Sequence, residues 1–367
     1  MTRPLRVLLV SANFRPSIGG IERYTEILAH ALASRGHTVT VAACATDGAR
    51  AGEERDGDVR VVRLRATDVL DTRLGVPVPL PEPVSAARTL RRLIRDADVA
   101  NPQDALYPTT LLTLSLAKTS VLTQHVGFVP QRSRALDSAE RAAIAAVGPV
   151  ARRATRVAAY NPAVAEWARQ TWTLEHVEVV PPGVPPAPEV DAGEVRRRYG
   201  LPLDRFVALF AGRDVHKKGL DLFLAAADRD YELVAVSDRP GMLPFVEPEE
   251  FRRLLAAVDA FVLPSEGEGF PLTLQEALVT GLPCVIAAGP GYEQYLRDNE
   301  AVVVERKPDA IRAALKRLAT EAAYRQELSA RAAEAGRREF GVDRFSAAYE
   351  RLYRDAIAAA QPMPARP

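Results

Sequence analysis

The sequence predicts an α/β protein of two doubly wound parallel-sheet domains facing a cleft, and three observations predict it. At about 150 residues per domain, 367 residues make two domains, each able to bury its own core. Short apolar runs alternate with stretches of helical periodicity in both halves, the pattern of parallel strands with helices on both faces. Between the halves, five of the eight residues from Pro181 to Pro188 are proline. Such a stretch fits neither a helix interior nor a central strand, so it reads as a linker. The boundaries are placed at 1–185 and 186–343, with a last helix at about 344–360 expected to pack back on the first domain.

The first half opens with Arg6 to Val10 as a buried strand. Arg3 and Arg6 ahead of Val7-Leu8-Leu9-Val10 give a superficial likeness to a signal peptide, but the apolar run is too short and no small-residue cleavage site follows before Asn13 and Arg15. A loop ending in Gly19-Gly20 leads into a helix with Ile21, Tyr24, Ile27, Leu28, Ala31 and Leu32 on one stripe. Further strands are expected near residues 38–43, 59–64, 120–123, 156–159 and 177–180. The second half repeats the opening: Phe206 to Phe210 as a strand, a loop ending in Gly219, then the apolar-rich stretch 220–227. Strands follow near 232–236, 260–263, 284–287 and 301–304, and residues 308–360 read as two or three amphipathic helices. No run of about 18 apolar residues occurs, so no membrane-spanning helix is expected and the chain reads as cytoplasmic.

Charge and cysteine usage exclude several classes. Lys and Arg number 48 against 47 Asp and Glu, for a net charge of +1. That balance lacks the basic excess of a nucleic-acid protein. It also hides an asymmetry, a net +5 through Pro185 and −4 beyond it. Cys44 and Cys284 lie far apart without CxxC spacing, which leaves two buried thiols as the reading and no disulfide scaffold or zinc site. Neither glycine loop gives GxGxxG with an acidic residue about 20 positions on, which counts against an NAD-dependent oxidoreductase.

Three segments carry chemistry. In Leu263-Pro-Ser-Glu-Gly-Glu-Gly-Phe-Pro-Leu-Thr-Leu-Gln-Glu276, Gly267 and Gly269 loosen a loop, Pro271 suits the first helical position, and Gly281 stops the helix. The free amides of that helix start form an anion site, with Glu268 beside it and Glu276 leaning back toward it. A glycosidase carboxylate pair is the competing reading. The positive helix end weakens it, because it favours two ionised carboxylates over a protonated general acid. Lysine gives the second clue: of only five, Lys217 and Lys218 adjoin in the loop Gly212-Arg-Asp-Val-His-Lys-Lys-Gly219, where Arg213 and a lysine could hold a diphosphate. The third is His125, at the carboxyl end of a first-half strand, although a lone histidine is more often a satisfied core residue. No HExxH, Ser/His/Asp or Asp-x-Asp pattern stands out, so the site is read as metal-free.

Together these residues resemble the family 4 glycosyltransferases, retaining nucleotide-sugar enzymes of the GT-B fold with two Rossmann-like domains. The likeness runs nearly end to end: Pro16-Ser-Ile-Gly-Gly-Ile-Glu22, Gly36-His-Thr-Val-Thr40, Thr123-Gln-His125, Gly212-Arg213 through Lys218-Gly219, the E-x7-E spacing of Glu268 and Glu276, Gly281-Leu-Pro283 and Gly289-Pro-Gly-Tyr-Glu293. The resemblance implies a hexose transferred from UDP- or GDP-sugar to a hydroxyl acceptor, with no cofactor and no metal. Gly19 and Gly20 would approach the donor or acceptor closely, and His125 would sit against the hexose. Arg213 and Lys218 would grip the diphosphate, Glu268 would hold the sugar, Glu276 the ribose hydroxyls, and amides near Gly269, Phe270 and Leu272 the sugar oxygens. The leaving diphosphate would take the acceptor's proton.

Departures are also visible. Fewer than 30 residues separate Val236 from the Val262-Leu-Pro-Ser265 stretch, where the family usually inserts another strand and helix, and Ser237-Asp238 replaces an expected glycine turn. A non-catalytic partner protein that has lost donor binding is therefore an alternative. Arg88, Arg91, Arg92 and Arg95, interleaved with Leu90, Leu93 and Ile94, form a basic amphipathic helix. It reads as a solvated surface helix, or as a weak peripheral contact with anionic lipid at the inner membrane face.

Overall fold

The computed structural model describes residues 3–17, 19–69, 78–127, 134–266, 270–288 and 295–360. The chain divides into two compact units, Met1–Gly183 with Phe345–Pro367, and Val184–Arg344. In the first, strands β1 (Arg6–Val10), β2 (Thr38–Cys44), β3 (Gly52–Asp56), β4 (Val59–Leu64) and, after the short pair β5 (Ala66–Thr67) and β6 (Leu80–Pro81), β7 (Val99–Pro102) give a sheet of order β3-β4-β2-β1-β7. All its pairings are parallel except that of the exposed edge strand β3 with β4. Strands β8 (Val121–Gln124), β9 (Arg156–Ala159) and β10 (Glu178–Val179) continue it in parallel beyond β7.

The seam between β7 and β8 shows why the two strands are not one unbroken ladder. Ala100 N–H donates to Thr119 O at 3.2 Å and Asp104 N–H to Thr123 O at 2.8 Å. The rung between them would need an N–H at position 102, and proline has none. The side-chain amide of Asn101 supplies the donor instead, to the carbonyl of Val121. A buried polar side chain is thus recruited into the sheet, and its remaining hydrogen-bond capacity must be met inside the core.

In the second unit, β11 (Phe206–Ala211), β12 (Tyr231–Val236), β13 (Ala260–Leu263), β14 (Cys284–Ala287) and β15 (Val302–Val304) form a wholly parallel sheet of order β12-β11-β13-β14-β15. Nearly every residue of β11, β13 and β14 is buried, as expected for strands covered on both faces. No strand lies between β12 and β13. The chain turns after Ser237, touches β12 once through Leu243 and Val236, and returns through the helix Pro248–Leu255, which buries Phe251, Leu254 and Leu255. The helix Leu272–Thr280 ends on Gly281 at φ +81, a left-handed cap that glycine adopts without strain. It packs so tightly on the helix Ala322–Phe340 that a Cβ at Gly336 would lie 2.5 Å from the backbone of Leu278 and Val279.

The tail forms three helices, Pro308–Thr320, Ala322–Phe340 and Val342–Ala360. From Phe345 on, the last belongs to the first unit and buries Phe345, Tyr349, Leu352, Tyr353 and Ala356 there, a stripe at helical spacing. The basic helix spans Pro83–Asp96. Leu90 and Leu93 are buried in the core with Ile94 packed beside them, so the apolar face that would enter a bilayer is already used, and the four arginines remain exposed. Cys44 and Cys284 are free and buried, and burial pushes the Cys44 thiol up to about 12.

Candidate functional site

Each sheet has a topological switch point, where successive strands leave in opposite directions and ligands of α/β proteins bind at the carboxyl ends. In the first unit β1 lies between β2 and β7, and in the second β11 lies between β12 and β13. Arg213 and Lys218 follow β11 and Glu276 lies on the helix after β13 in the second unit, while His125 follows β8 in the first.

At the second, the loops after β11 and β13 are tied together. Glu266 N–H donates to Lys217 O at 2.8 Å, and Arg306 donates from Nε to Pro264 O at 3.0 Å and from Nη2 to His216 O at 2.5 Å. Residues His216–Lys218 form one turn of 3-10 helix that ends on Gly219 at φ +76, where a Cβ would lie 2.6 Å from Pro264 O. Glycine is required there twice over, for its backbone angle and for the approach of the two loops. Arg213 is exposed and Lys218 half-buried. The loop is also braced from β12: Asp238 accepts from Asp214 N–H at 2.6 Å, and Arg239 reaches Asp214 at 2.6 Å and Asp221 at 2.8 Å. The hydrogen bonds from Arg239 hold the Asp214 carboxyl below its ordinary range. Ser237-Asp238 therefore serves as a brace where a glycine turn was expected.

The helix carrying Glu276 starts at Leu272, with Pro271 in the cap position (φ −59, ψ 141) rather than the first helical one; its missing N–H costs nothing in either place. Glu276 is 5% exposed. Phe270 is buried between Tyr295 and Phe340, with ring centroids 5.0 and 4.7 Å away, and its carbonyl accepts from Gln275 Nε2 at 2.8 Å. Leu272 is half-buried. Glu268, Gly269 and residues 289–293 lie outside the described residues.

At the first switch point His125 is 6% exposed just past the end of β8. Gln103 Nε2 donates to Asn101 O at 3.1 Å, so its Oε1 faces His125 Nε2 at 2.9 Å, and the imidazole donates from Nε2 and keeps its lone pair on Nδ1. The Tyr24 ring packs edge-on against it, centroids 4.6 Å apart. Burial drives the imidazole pKa down to about 3, so the ring is neutral at physiological pH.

Asp104, which sequence reasoning missed, adopts a left-handed φ of 58 directly after β7. Its carboxylate accepts from Gln124 Nε2 at 3.1 Å and Leu106 N–H at 3.3 Å, and so ties the end of β8, next to His125, to the turn after β7. Burial nonetheless pushes it up to about 6. Glu22, next to the glycine loop, is also raised by burial, against a hydrogen bond from Asn13. Gly19 is extended, and a Cβ there would meet only the mobile carboxylate end of Glu22, while the space at Gly20 is open. The glycine loop thus leaves room rather than relieving strain. Among the described residues no group of three or more His, Cys, Asp and Glu could hold a metal ion, and no helix is long and apolar enough to cross a membrane.

Two family models match the chain, "Glycosyltransferase Family 4" over residues 18–187 and "Glycosyl transferases group 1" over residues 231–338. The D-inositol 3-phosphate glycosyltransferase of Xylanimonas cellulosilytica is 32% identical over 50% of this chain and 52% of its own length, so the chain aligns with about half of that relative. The corresponding protein of Acidothermus cellulolyticus is 27% identical over 97% of this chain and 91% of its own. Among solved structures, sucrose-phosphate synthase from Thermosynechococcus elongatus has a TM-score of 0.70 at 18% identity, covering 97% of this chain and 100% of that one. Anabaena HepE in complex with UDP-glucose has 0.65 at 14%, covering 95% and 99%. These structures define the class, an α/β protein of the GT-B fold. With the two family matches, the chain belongs to the family 4 glycosyltransferases.

Proposed function

We propose that the protein transfers a hexose, with retention, from a nucleoside diphosphate sugar to a hydroxyl acceptor, the second unit holding the donor and the first the acceptor. The observation that carries this is the tied pair of loops after β11 and β13: it puts Arg213 and Lys218 on one and the helix start bearing Glu276 on the other, at one switch point. Cationic side chains and helix-start amides suit a departing diphosphate, whose charge grows as the glycosidic bond breaks. They supply that stabilisation without a metal. Glu276 is assigned to the ribose hydroxyls and Glu268 to the transferred sugar. A neutral His125 with an open lone pair on Nδ1 can accept from a sugar hydroxyl without adding charge. The bound UDP-glucose of HepE and the acceptor in the relatives' name make UDP-sugars and D-inositol 3-phosphate the first compounds to try.

The test is a thermal-shift screen over UDP, GDP and their sugars, then mass analysis of products with a panel of acceptors. Stabilisation by one nucleotide and a glycosylated product are expected, with Lys218→Ala and Glu276→Ala both losing donor binding and turnover. If both variants kept wild-type activity the site assignment would be wrong, and if no nucleotide sugar bound or was consumed, the chain would be a non-catalytic member of its family.

A further inference from the structure

Beneath His125 runs a buried chain of hydroxyl and amide groups that the reaction as proposed does not use. Tyr24 Oη donates to Val180 O at 3.1 Å. Tyr349 Oη lies 2.8 Å from Tyr24 Oη and 2.8 Å from Thr123 Oγ1. Asn101 Nδ2 donates to Thr123 Oγ1 at 2.9 Å, and Tyr353 donates to Asn101 Oδ1 at 2.8 Å. All five side chains are at most 2% exposed, and burial raises the three tyrosine pKa values, so their hydroxyls stay protonated.

The proton directions follow from the inventory of donors. The Tyr24 proton goes to the Val180 carbonyl and Asn101 already donates to Thr123. One direction then satisfies every group: Thr123 donates to Tyr349, and Tyr349 to Tyr24. Three members of this chain touch the elements that hold His125. Tyr24 supplies the ring packed against the imidazole, Thr123 precedes His125 by two residues, and Asn101 O anchors the Gln103 amide that sets the imidazole tautomer. The two tyrosines that complete it come from the last helix, 226 and 252 residues away in sequence from their partners on β8 and β7.

We propose that Tyr349, supported by Tyr353, is a positioning residue for His125, so that the C-terminal helix sets the orientation and tautomer of the imidazole rather than merely covering the first unit. The catalytic consequence rests on the assignment of His125 to the transferred sugar; the structural consequence does not.

The experiment is Tyr349→Phe in the full chain, which keeps the ring and removes only the oxygen joining Thr123 to Tyr24. With 15N-histidine labelling and five histidines in the chain, the His125 resonances are assigned by their loss in His125→Gln. In Tyr349→Phe the Nε2–H form should give way to a mixture of tautomers or exchange-broadened signals. Turnover of the nucleotide sugar should fall about tenfold or more, toward the roughly 10²-fold cost of displacing a catalytic group by about 1 Å, with donor KM within about twofold. Phe345→Leu, which loosens packing against Tyr24 (centroids 4.9 Å apart) without removing a hydrogen bond, is the control for stability. An unchanged His125 spectrum in Tyr349→Phe overturns the proposal. So does an equal loss of turnover and an equal spectral change in a Phe345→Leu variant of matched melting temperature. If the wild type turns over no nucleotide sugar, the functional reading fails while the spectra still decide the positioning role.

Discussion

The two switch points share a topology and differ in chemistry. At the first, Asn101, Gln103, Asp104, Thr123, Gln124 and His125 are buried and satisfy one another, and burial drives Asp104 and His125 toward their neutral forms. At the second, Arg213, Asp214 and Lys217 are exposed on a loop held by backbone contacts and an exposed ion pair. A buried net of amides, hydroxyls and a neutral imidazole around a single carboxylate recognises groups by where lone pairs and protons point, which suits sugar or polyol hydroxyls. An exposed cationic loop recognises charge, which suits a diphosphate and tolerates looser geometry. Equivalent places in two copies of one architecture are thus specialised by burial.

That contrast breaks most visibly on the charged side. Arg213→Ala and Lys218→Ala should each lower kcat/KM for the donor about 10²–10³-fold, the loss seen when one group stabilising a leaving anion is removed; steady-state kinetics checks it. On the buried side the expected effect is on stability. His125 is neutral in the fold down to about pH 3 but protonates near 6.5 when unfolded, so the stability present above 6.5 is lost as pH falls toward 3, at up to about 1.4 kcal/mol per pH unit. Asp104 acts oppositely: its folded pKa of about 6 lies above its ordinary 3.8, so its cost is full above pH 6 and is relieved as pH falls. Relative to wild type between pH 4 and 6, urea unfolding of His125→Gln should show stability falling as pH rises, and Asp104→Asn the reverse.

Smaller effects probe the ties between loops. Gly219→Ala forces a left-handed backbone and a clash with Pro264 O, and should cost about 1–3 kcal/mol in denaturant unfolding. Arg239→Ala removes an exposed brace and should raise donor KM only about two- to threefold while leaving the melting temperature near wild type.

The charged switch point was legible because its signals are local. Glycines, a proline and a rare lysine pair punctuate the loops after two plainly apolar strands. The buried one was not. In β7 only Val99 and Ala100 are apolar, and Asn101-Pro102-Gln103-Asp104 reads as a polar turn, so the strand that brings Asn101 and Gln103 to the neighbourhood of His125 went unseen, although β8 and His125 at its end were expected. The only hint was the gap itself, since a half of this architecture needs a strand between the helix ending at Asp96 and β8. The tyrosines of the last helix were readable as an apolar stripe, but their hydroxyl partners are set by tertiary packing.

Gly336 has a consequence for motion and exchange. Because its missing side chain lets the helix Ala322–Phe340 rest directly on the backbone of Leu278 and Val279, the two helices cannot rotate or slide past each other without separating. Their amides should exchange with solvent as one cooperative unit. Whatever displaces the long tail helix will carry Glu276 with it.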